Sequence, residues 1–180
     1  MYLSKACLAK DVSKVSFKII DLLRHAQTDF NAEIDKISKN ISINEIGKQQ
    51  CQSQKILKNY DTVICSPMNR CKETLFAIKG ITYNELIYSS LCREHKIHNC
   101  DFLEEEDETI LETEEDLCYR VEQFKKFLSQ FQDKNILVVS HGDFLWYFTS
   151  KIVQGEKFGQ WLENCQIYEF HMLTETEENS

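Results

Sequence analysis

The sequence predicts an α/β fold in which a mostly parallel central sheet is covered by helices on both faces, a three-layer α/β/α sandwich. Two observations indicate this fold. Short apolar, β-branched runs alternate along the chain with longer segments of helical periodicity. The 180 residues also contain a single proline and five glycines, which leave no room for a long flexible linker. We therefore expect one domain over residues 1–180.

Four segments have the composition of buried strands. VSFKIIDLL (15–23) and NILVVS (135–140) are apolar and β-branched, DTVICS (61–66) is a shorter version, and QIYEFHML (166–173) is the last. Each of the first three ends at a polar residue and leads into a helical pattern. Ligands of such sheets bind beyond the carboxyl ends of the strands, so chemistry is expected directly after these segments.

Three segments have helical periodicity. Residues 44–58 show the weakest pattern. A second helix is predicted after Ser66, with Pro67 at its first position. Its apolar face is formed by Met68, Cys71, Leu75 and Ile78. The third pattern covers residues 113–131, with Thr113 as a candidate N-cap. Its apolar face is formed by Leu117, Val121, Phe124, Leu128 and Phe131.

The remaining segments are predicted to be irregular. Residues 1–14 and 174–180 are expected to be poorly ordered. The acidic stretch LEEEDETILETEED is expected to form a solvated loop in which Glu104, Glu105 and Glu106 face solvent. The N-terminal residues lack a continuous apolar stretch before a cleavage site, so we expect no secretory signal and a cytoplasmic protein.

Charge and composition exclude two classes of partner. The net charge of −8 is the opposite of the basic stripe of a nucleic-acid-binding protein. No run of eighteen apolar residues is present, so no membrane partner is expected. None of the eight cysteines forms a C-x-x-C pair, which favours buried, reduced cysteines over a metal site. We expect neither a metal nor a cofactor, and the oligomeric state stays open.

Chemically reactive residues follow three of the predicted strands. Arg24 and His25 follow the first strand, Arg70 lies four residues beyond the second, and His141 follows the third. Two histidines and two of the four arginines would therefore meet at one edge of the sheet. Guanidinium groups bind phosphate oxygens in bidentate fashion. Phosphoryl transfer depends mainly on positioning and on stabilising negative charge, so this edge is predicted to handle phosphate.

A histidine in such a site can act as a nucleophile. A neutral imidazole can attack phosphorus directly and form a covalent phosphohistidine. Neighbouring arginines disfavour protonation of His25, which keeps it nucleophilic near pH 7. His141, in its protonated form, would help to bind the phosphate.

The motifs, in this order, resemble those of a known family. LLRHAQTDFN is similar to the signature L-x-R-H-G-x-T-x-x-N of the histidine phosphatase superfamily, also called the phosphoglycerate-mutase-like family. NEIGKQQ, ICSPMNRCKETL, VVSHGDFL and NCQIYEF are similar to later elements of the same family. The resemblance covers about residues 17–170. It departs at Ala26, where the family usually has glycine.

The resemblance implies a role for each matching residue. His25 would be the phosphorylated nucleophile. The phosphate would be surrounded by Arg24, Arg70 and His141. Asn31 would contact the phosphate or a neighbouring oxygen. Thr28 is a weaker ligand candidate and is equally well explained as a capping residue.

The resemblance also implies an acidic proton donor. LIYSSLCREHKIHNCDF is similar to the family's L-R-E block, which makes Glu94 the leading candidate and Asp101 the alternative. The pattern R-E-H-x-x-H-x-C-D resembles a eukaryotic branch of the family and implies that His98 and Asp101 line the pocket. Alternatively, His98 and Asp101 belong to a polar loop without a role in the pocket. Burial or a nearby phosphate dianion would raise the pKa of Glu94, whereas Arg93 and the arginines of the site would lower it, and the sequence leaves the balance open.

The expected function is hydrolysis of phosphomonoesters through a phosphohistidine on His25, the activity of a metal-independent histidine (acid-type) phosphatase. One alternative is a phosphoglycerate mutase-type phosphotransferase, for which only two arginines beyond the motifs remain. The other is a non-catalytic protein that recognises phosphate. The expected partner is a small phosphorylated substrate, and sugar phosphates, nucleotides, phosphopeptides and lipid head groups all fit.

Overall fold

The computed structural model describes residues 15–175. Its strands are β1 (Val15–Arg24), β2 (Lys58–Cys65), β3 (Ile81–Tyr88), β4 (Ile136–Ser140), β5 (Lys151–Val153), β6 (Glu156–Phe158) and β7 (Ile167–Glu175). Its helices are α1 (Glu45–Ser53), α2 (Asn69–Ala77), α3 (Glu114–Ser129) and α4 (Gly142–Thr149), with short 3₁₀ turns at Ser90–Cys92 and Asn99–Asp101. The ends predicted to be poorly ordered lie outside the described residues, except that positions 174 and 175 belong to β7.

Five strands form the central sheet in the order β3-β2-β4-β1-β7. β1, β2, β3 and β4 run parallel to one another, and β7 runs antiparallel to β1. The prediction of a mostly parallel sheet is therefore confirmed. β5 and β6 form a separate hairpin that turns through Gln154 and Gly155, which both have positive φ.

Helices cover both faces of the sheet. On one face, Ile136 and Val138 of β4 belong to an apolar cluster with residues of α3 and α4. On the other face, Leu137 and Val139 belong to a second cluster with residues of α1 and α2. β4 is buried along its whole length, as expected for a strand that is covered on both faces. The three-layer α/β/α sandwich is confirmed.

Two helix boundaries differ from the prediction. α2 begins at Asn69, so Pro67 precedes the helix and does not occupy its first position. The Asn40 side chain accepts a hydrogen bond from the Asn69 N–H at 2.9 Å, so the cap comes from a distant segment that local sequence does not reveal. α1 ends at Ser53 and not at position 58, because Lys58 already pairs with β3.

The third predicted helix is correct at its start, whereas the strands β3, β5 and β6 and the bounds of α4 were not predicted. Thr113 caps α3, because its hydroxyl oxygen accepts the Asp116 N–H at 3.2 Å. α3 ends at Ser129, before the predicted end at 131. β3 is a largely exposed edge strand without clear apolar alternation. α4 has the sequence GDFLWYFT, which is so uniformly apolar that periodicity cannot separate helix from strand.

The carboxyl ends of β1, β2 and β4 meet at one edge of the sheet. The register of β1 and β4 places Arg24 opposite Ser140. Beyond the strands, the His25 N–H donates to the Ser140 carbonyl at 2.9 Å and the Ser66 N–H donates to the Val139 carbonyl at 3.0 Å. The residues that follow these strands are therefore fixed relative to one another by backbone hydrogen bonds.

Candidate active site

His25 follows β1 directly and is buried, with 2% of its surface exposed. Its Nδ1 lies 2.8 Å from the Ala26 carbonyl oxygen. Because a carbonyl can only accept, Nδ1 carries the proton and Nε2 of the neutral ring keeps its lone pair. Burial, reinforced by the positive charges of Arg70 and Arg24, holds the pKa of His25 well below its usual range, although the Ala26 hydrogen bond opposes this. His25 is therefore a neutral imidazole near pH 7.

The loop that carries His25 is held from two directions. Thr74 of α2 accepts the Ala26 N–H through Oγ1 at 2.8 Å. The His25 carbonyl accepts hydrogen bonds from the Cys165 N–H and from the Asn164 side-chain amide, each at 3.1 Å. The threonine of ICSPMNRCKETL and the asparagine of NCQIYEF thus both fix the backbone at His25 and Ala26.

α1 approaches the same loop closely at Gly47. A Cβ at this position would lie 2.3 Å from the Gln27 carbonyl oxygen, a distance that no side chain tolerates. Gln50, on the same helix, accepts the Gln27 N–H through Oε1 at 2.9 Å. The glycine and the last glutamine of NEIGKQQ therefore hold the chain just after His25.

Arg24 is buried and lies against Trp161, with its guanidinium carbon 4.8 Å from the indole centre. Its Nη1 donates to the Leu162 carbonyl at 2.7 Å. Its Nε is buried without a hydrogen-bond partner, the only such side-chain atom in the described part of the chain. Gly142 leaves room for this group, because a Cβ there would lie 3.2 Å from the guanidinium carbon. A buried cationic N–H without a protein partner is available to an anion.

Arg70 makes three hydrogen bonds within the protein. Its Nε donates to His141 Nδ1 at 3.1 Å, Nη1 to the Cys100 carbonyl at 2.6 Å, and Nη2 to Asp101 Oδ1 at 3.0 Å. The Arg70–Asp101 ion pair is buried, with each side chain 3% exposed. A guanidinium has five N–H donors, so two remain for a ligand.

His141 lies between Arg70 and Ser66. Because Arg70 Nε can only donate, Nδ1 of His141 is the acceptor, and its Nε2 donates to Ser66 Oγ at 2.8 Å. Burial and the charge of Arg70 hold the pKa of His141 well below its usual range. The expectation of a protonated second histidine is therefore wrong for the ligand-free site, where the positive charge comes from Arg24 and Arg70. The rings of His25 and His141 are 5.2 Å apart between centroids.

Asn31 and Thr28 form a local hydrogen-bonded unit. Asn31 Oδ1 accepts from the Thr28 N–H at 3.1 Å, from the Thr28 hydroxyl at 3.0 Å, and from the Asn164 amide at 3.3 Å. These bonds orient the side chain so that its Nδ2 donors remain for a ligand. The Thr28 hydroxyl is engaged by Asn31, which favours the capping interpretation of this residue.

Glu94 follows the first 3₁₀ turn, and its carboxylate binds the N-terminus of α4. Oε1 accepts from the N–H groups of Phe144 and His95, each at 3.0 Å, and Oε2 accepts from the Asp143 N–H at 3.4 Å. These bonds fix the carboxyl group at the position where the helix N-terminus is most positive.

The pKa of Glu94 is raised to about 7. Burial is the main cause, and the negative charges of Asp143 and Asp101 add to it, while Arg70 and a backbone hydrogen bond oppose it. Burial therefore decides the balance that the sequence left open. A carboxyl group with this pKa can both release and accept a proton near neutral pH.

Arg93 pairs with Glu106 and not with the site. Its Nη1 and Nη2 donate to the two carboxylate oxygens of Glu106 at 2.8 and 2.7 Å. Of the arginines expected to lower the pKa of Glu94, Arg70 does so, and Arg93 is not among the causes. The prediction that Glu106 faces solvent is wrong, because its ion pair with Arg93 holds the carboxylate against the protein. The same hydrogen bonds lower the pKa of Glu106 to about 2.

Asp101 and His98 both line the pocket, as predicted. Asp101 accepts the His98 N–H through Oδ2 at 3.0 Å while Oδ1 pairs with Arg70. The His98 ring lies against Phe30, with centroids 5.0 Å apart. The Asp101 carboxylate is therefore committed to Arg70, whereas the Glu94 carboxyl group is bonded only to backbone N–H groups.

The pocket at this edge of the sheet has a volume of about 220 Å³. It is lined by Arg24, His25, Thr28, Phe30, Asn31, Arg70, Glu94, His98, Cys100, Asp101, Asp143 and Trp161. Of the site residues predicted from the sequence, His141 alone does not line the pocket, and it accepts a hydrogen bond from Arg70, which does. Sequence reasoning missed Phe30, Cys100, Asp143 and Trp161. Asp143 follows the S-H-G motif directly, a signal that could have found it, whereas Trp161 lies in a segment without any pattern.

Residues 15–175 contain no group of three His, Cys, Asp or Glu side chains that could hold a metal ion. No helix in that range is long and apolar enough to cross a bilayer. The seven cysteines described there form no disulfide, and all but Cys118 are buried.

Several solved structures share this fold. The phosphoserine phosphatase of Entamoeba histolytica in complex with 3-phosphoglyceric acid aligns over 90% of this chain and 98% of its own, with 20% identity and a TM-score of 0.57. The alpha-ribazole phosphatase of Shigella flexneri aligns over 80% and 95%, with 18% identity and a TM-score of 0.57. Mycobacterial hydrolase 1 aligns over 92% and 99%, with 16% identity and a TM-score of 0.60.

None of the curated proteins matches the sequence significantly. The family model described as histidine phosphatase superfamily (branch 1) matches residues 20–108, which include His25, Arg70 and Glu94. The fold and the order of the motifs agree with this match. Over residues 20–108 and in its fold, the chain is similar to the histidine phosphatase superfamily.

Proposed function

We propose that the protein is a phosphatase that hydrolyses phosphomonoesters through a phosphohistidine on His25. The observation that carries this proposal is the neutral His25 ring, which keeps a lone pair on Nε2 in a pocket shared with Arg24 and Arg70. Two proteins that share the fold, a phosphoserine phosphatase and an alpha-ribazole phosphatase, support hydrolysis of small phosphorylated molecules.

In the first step, Nε2 of His25 attacks phosphorus and the bond from phosphorus to the ester oxygen breaks. Arg24 and Arg70 stabilise the negative charge on the equatorial oxygens. The hydrogen bond from Nδ1 to the Ala26 carbonyl stabilises the positive charge that the ring acquires. Glu94, protonated because its pKa is about 7, gives its proton to the departing oxygen.

In the second step, water attacks phosphorus and the bond to Nε2 breaks. The Glu94 carboxylate takes a proton from that water, so inorganic phosphate leaves and both Glu94 and His25 return to their starting states. Asn31 Nδ2 binds a phosphate oxygen in both steps. Thr28 acts through Asn31, because its hydroxyl is already engaged there.

The charges around the pocket argue against a phosphoglycerate mutase. Such an enzyme needs additional cations for the substrate's carboxylate. The two arginines outside the motifs, Arg93 and Arg120, are paired with Glu106 and Glu112. A non-catalytic phosphate-binding protein is also disfavoured, because a neutral nucleophile and a proton donor of suitable pKa lie in the same pocket.

The proposal is tested by trapping the covalent intermediate. Wild-type protein and the His25→Ala variant are incubated with p-nitrophenyl phosphate, quenched in alkali and analysed by mass spectrometry. We expect an acid-labile phosphoryl adduct on His25 in the wild type and no turnover in the variant. The matched control is His171→Ala, which removes an exposed histidine of β7. Turnover by His25→Ala at the wild-type rate would refute the mechanism.

A further inference from the structure

Asp143 is the pocket carboxylate whose role the proposed reaction leaves unexplained. Of the three carboxylates that line the pocket, Asp101 is paired with Arg70 and Glu94 is the proton donor. The backbone N–H of Asp143 is bound by Glu94 at 3.4 Å. The Asp143 carboxylate itself makes no hydrogen bond or ion pair with any residue between 15 and 175.

The position of Asp143 makes its charge costly for a phosphate-binding site. It is the second residue of α4 and lines the same pocket as Arg24. Its charge raises the pKa of Glu94 and acts on Arg24, so the carboxylate lies near both the proton donor and a phosphate-binding cation. A negative charge there repels a dianionic phosphate, and the helix N-terminus compensates for it only in part. We therefore expect the compensating charge to come from the substrate.

The proposed reaction determines which part of the substrate lies beside Asp143. The departing ester oxygen has to reach Glu94 to receive its proton, so the atoms attached to that oxygen come next to Asp143. Apart from two arginines and two histidines, no basic side chain lines the pocket. A second anionic group on the substrate would meet Asp143, whereas an ammonium group would pair with it.

We propose that Asp143 makes the enzyme select phosphomonoesters whose leaving group carries an ammonium group a few bonds from the ester oxygen. This proposal rests on the proposed phosphatase function and names its substrate class. Esters with a carboxylate at the same distance are rejected by the same residue.

The test compares three esters of similar size. O-phosphoethanolamine carries an ammonium group, propyl phosphate is neutral at that position, and 2-phosphoglycolate carries a carboxylate. We expect kcat/KM to fall in this order, by about tenfold from the cationic to the neutral ester, the effect of one partly desolvated ion pair. In the Asp143→Asn variant, kcat/KM for the cationic ester should be about equal to kcat/KM for the neutral ester.

The control variant is Glu163→Gln, which removes an exposed carboxylate that also acts on Arg24 but does not line the pocket. It should keep the wild-type ratio. Equal kcat/KM for the cationic and neutral esters in the wild type, or a ratio that survives Asp143→Asn, would overturn the proposal. An equal loss on all three esters in Asp143→Asn would assign the residue to support of Glu94 or Arg24 and would also overturn it. A wild type that hydrolyses p-nitrophenyl phosphate but fails this comparison refutes only the selectivity, and a wild type that hydrolyses neither refutes the phosphatase function as well.

Discussion

Nε of Arg70 lies 3.1 Å from Nδ1 of His141 and donates a hydrogen bond to it. An imidazolium has no free lone pair, so this bond exists only while His141 is neutral. The charge of Arg70 also lowers the pKa of His25. One guanidinium therefore disfavours protonation of both imidazoles, and this arrangement couples the stability of the fold to pH.

Stability should fall as the pH drops from about 6.5 towards 5.5. The folded-state pKa values of His25 and His141 lie well below 6.5, so the unfolded chain binds two protons that the folded chain does not. Glu94 acts in the opposite direction, because its pKa rises from 4.5 to about 7 on folding and the folded chain keeps that one proton. At pH 6.5 the unfolded histidines are only half protonated, so the net difference is small there. It grows to about one proton near pH 5.5, where the unfolding free energy should fall by about 1.4 kcal/mol per pH unit.

Urea unfolding at several pH values in this window measures the slope. Glu94→Gln removes the proton that the folded chain keeps. The dependence of its unfolding free energy on pH should therefore steepen towards the value expected for a difference of two protons. His171→Asn, at an exposed position, should leave the slope unchanged. A stability that rises on acidification would contradict the neutral states assigned to the two buried histidines.

Replacing Glu94 by glutamine should slow the hydrolysis of alkyl phosphates by about 10²–10⁴-fold. An alkoxide leaves poorly without a proton, whereas p-nitrophenolate needs little help, so the first-step burst with p-nitrophenyl phosphate should fall much less. Because the pKa of Glu94 is about 7, the first step on alkyl phosphates should decline above about pH 7 in the wild type only. Rapid-quench bursts and pH profiles measure both effects.

Two outcomes would reassign the proton. Equal burst losses on both substrates would mean that Glu94 only shapes the pocket. An unaffected Glu94→Gln variant beside an inactive Asp101→Asn variant would give the proton to Asp101, although its pairing with Arg70 makes this unexpected.

Arg120 should act as a positioning residue for Glu94. From α3, its Nη1 donates to the carbonyls of Leu91 and Arg93 at 3.0 and 2.7 Å, and its Nη2 donates to the Glu94 carbonyl at 3.1 Å. The same guanidinium pairs with the largely buried Glu112 at 2.6 Å. The main chain that carries the proton donor is therefore held by one side chain.

Arg120→Ala should lower stability by about 2–4 kcal/mol, because Glu112 is left largely buried and unpaired. It should reduce kcat on alkyl phosphates more than the burst with p-nitrophenyl phosphate. Arg120→Lys keeps the charge without the planar fork and should recover stability only in part. Lys125→Ala, which removes an exposed pair with Glu122 on the same helix, should change stability by about 0.5 kcal/mol or less. Equal losses on both substrates in Arg120→Ala would show that it does not act through Glu94.

Gly47→Ala should destabilise the protein, although alanine is normally the better helix residue by about 1 kcal/mol. The new Cβ would lie 2.3 Å from the Gln27 carbonyl oxygen, so α1 or the loop after His25 has to move. We expect a loss of about 1–3 kcal/mol and a lower kcat. Thermal and urea unfolding measure whether the variant is less or more stable than the wild type. A more stable variant would contradict the close approach of helix and loop.

Turnover should need no metal ion. The positive charge that phosphoryl transfer requires comes from Arg24 and Arg70. Activity should survive exhaustive treatment with EDTA and be blocked by vanadate or tungstate, which mimic phosphate. Activity that is lost on chelation and restored by a divalent ion would overturn this expectation.

The residues that sequence reasoning placed in the pocket follow strands or lie in motifs, because strand ends carry their neighbours to a common edge. Arg24, His25 and Arg70 belong to this group. Trp161 was not foreseen, since it reaches the pocket from an irregular segment, whereas Asp143 lies within the motif VVSHGDFL and was overlooked there.

The charge states were harder to predict than the positions. The protonated His141 that the sequence suggested depends on exposure, whereas the fold buries the ring beside Arg70. Likewise, the partner of Arg93 is Glu106, thirteen residues further along an irregular loop, and no pattern in the sequence links the two. Pairing between loops is set by tertiary contacts, which local composition does not encode.

β1 comes first among the described strands, yet it lies in the sheet between β4 and β7. The backbone N–H of His25 donates to the Ser140 carbonyl, and the His25 carbonyl accepts from the Cys165 N–H and the Asn164 side-chain amide. These pairings span more than a hundred positions, and such non-local contacts slow folding. The loop that carries His25 is held on both sides only when residues 164–165 have docked, so we expect turnover after dilution from denaturant to return no earlier than that docking.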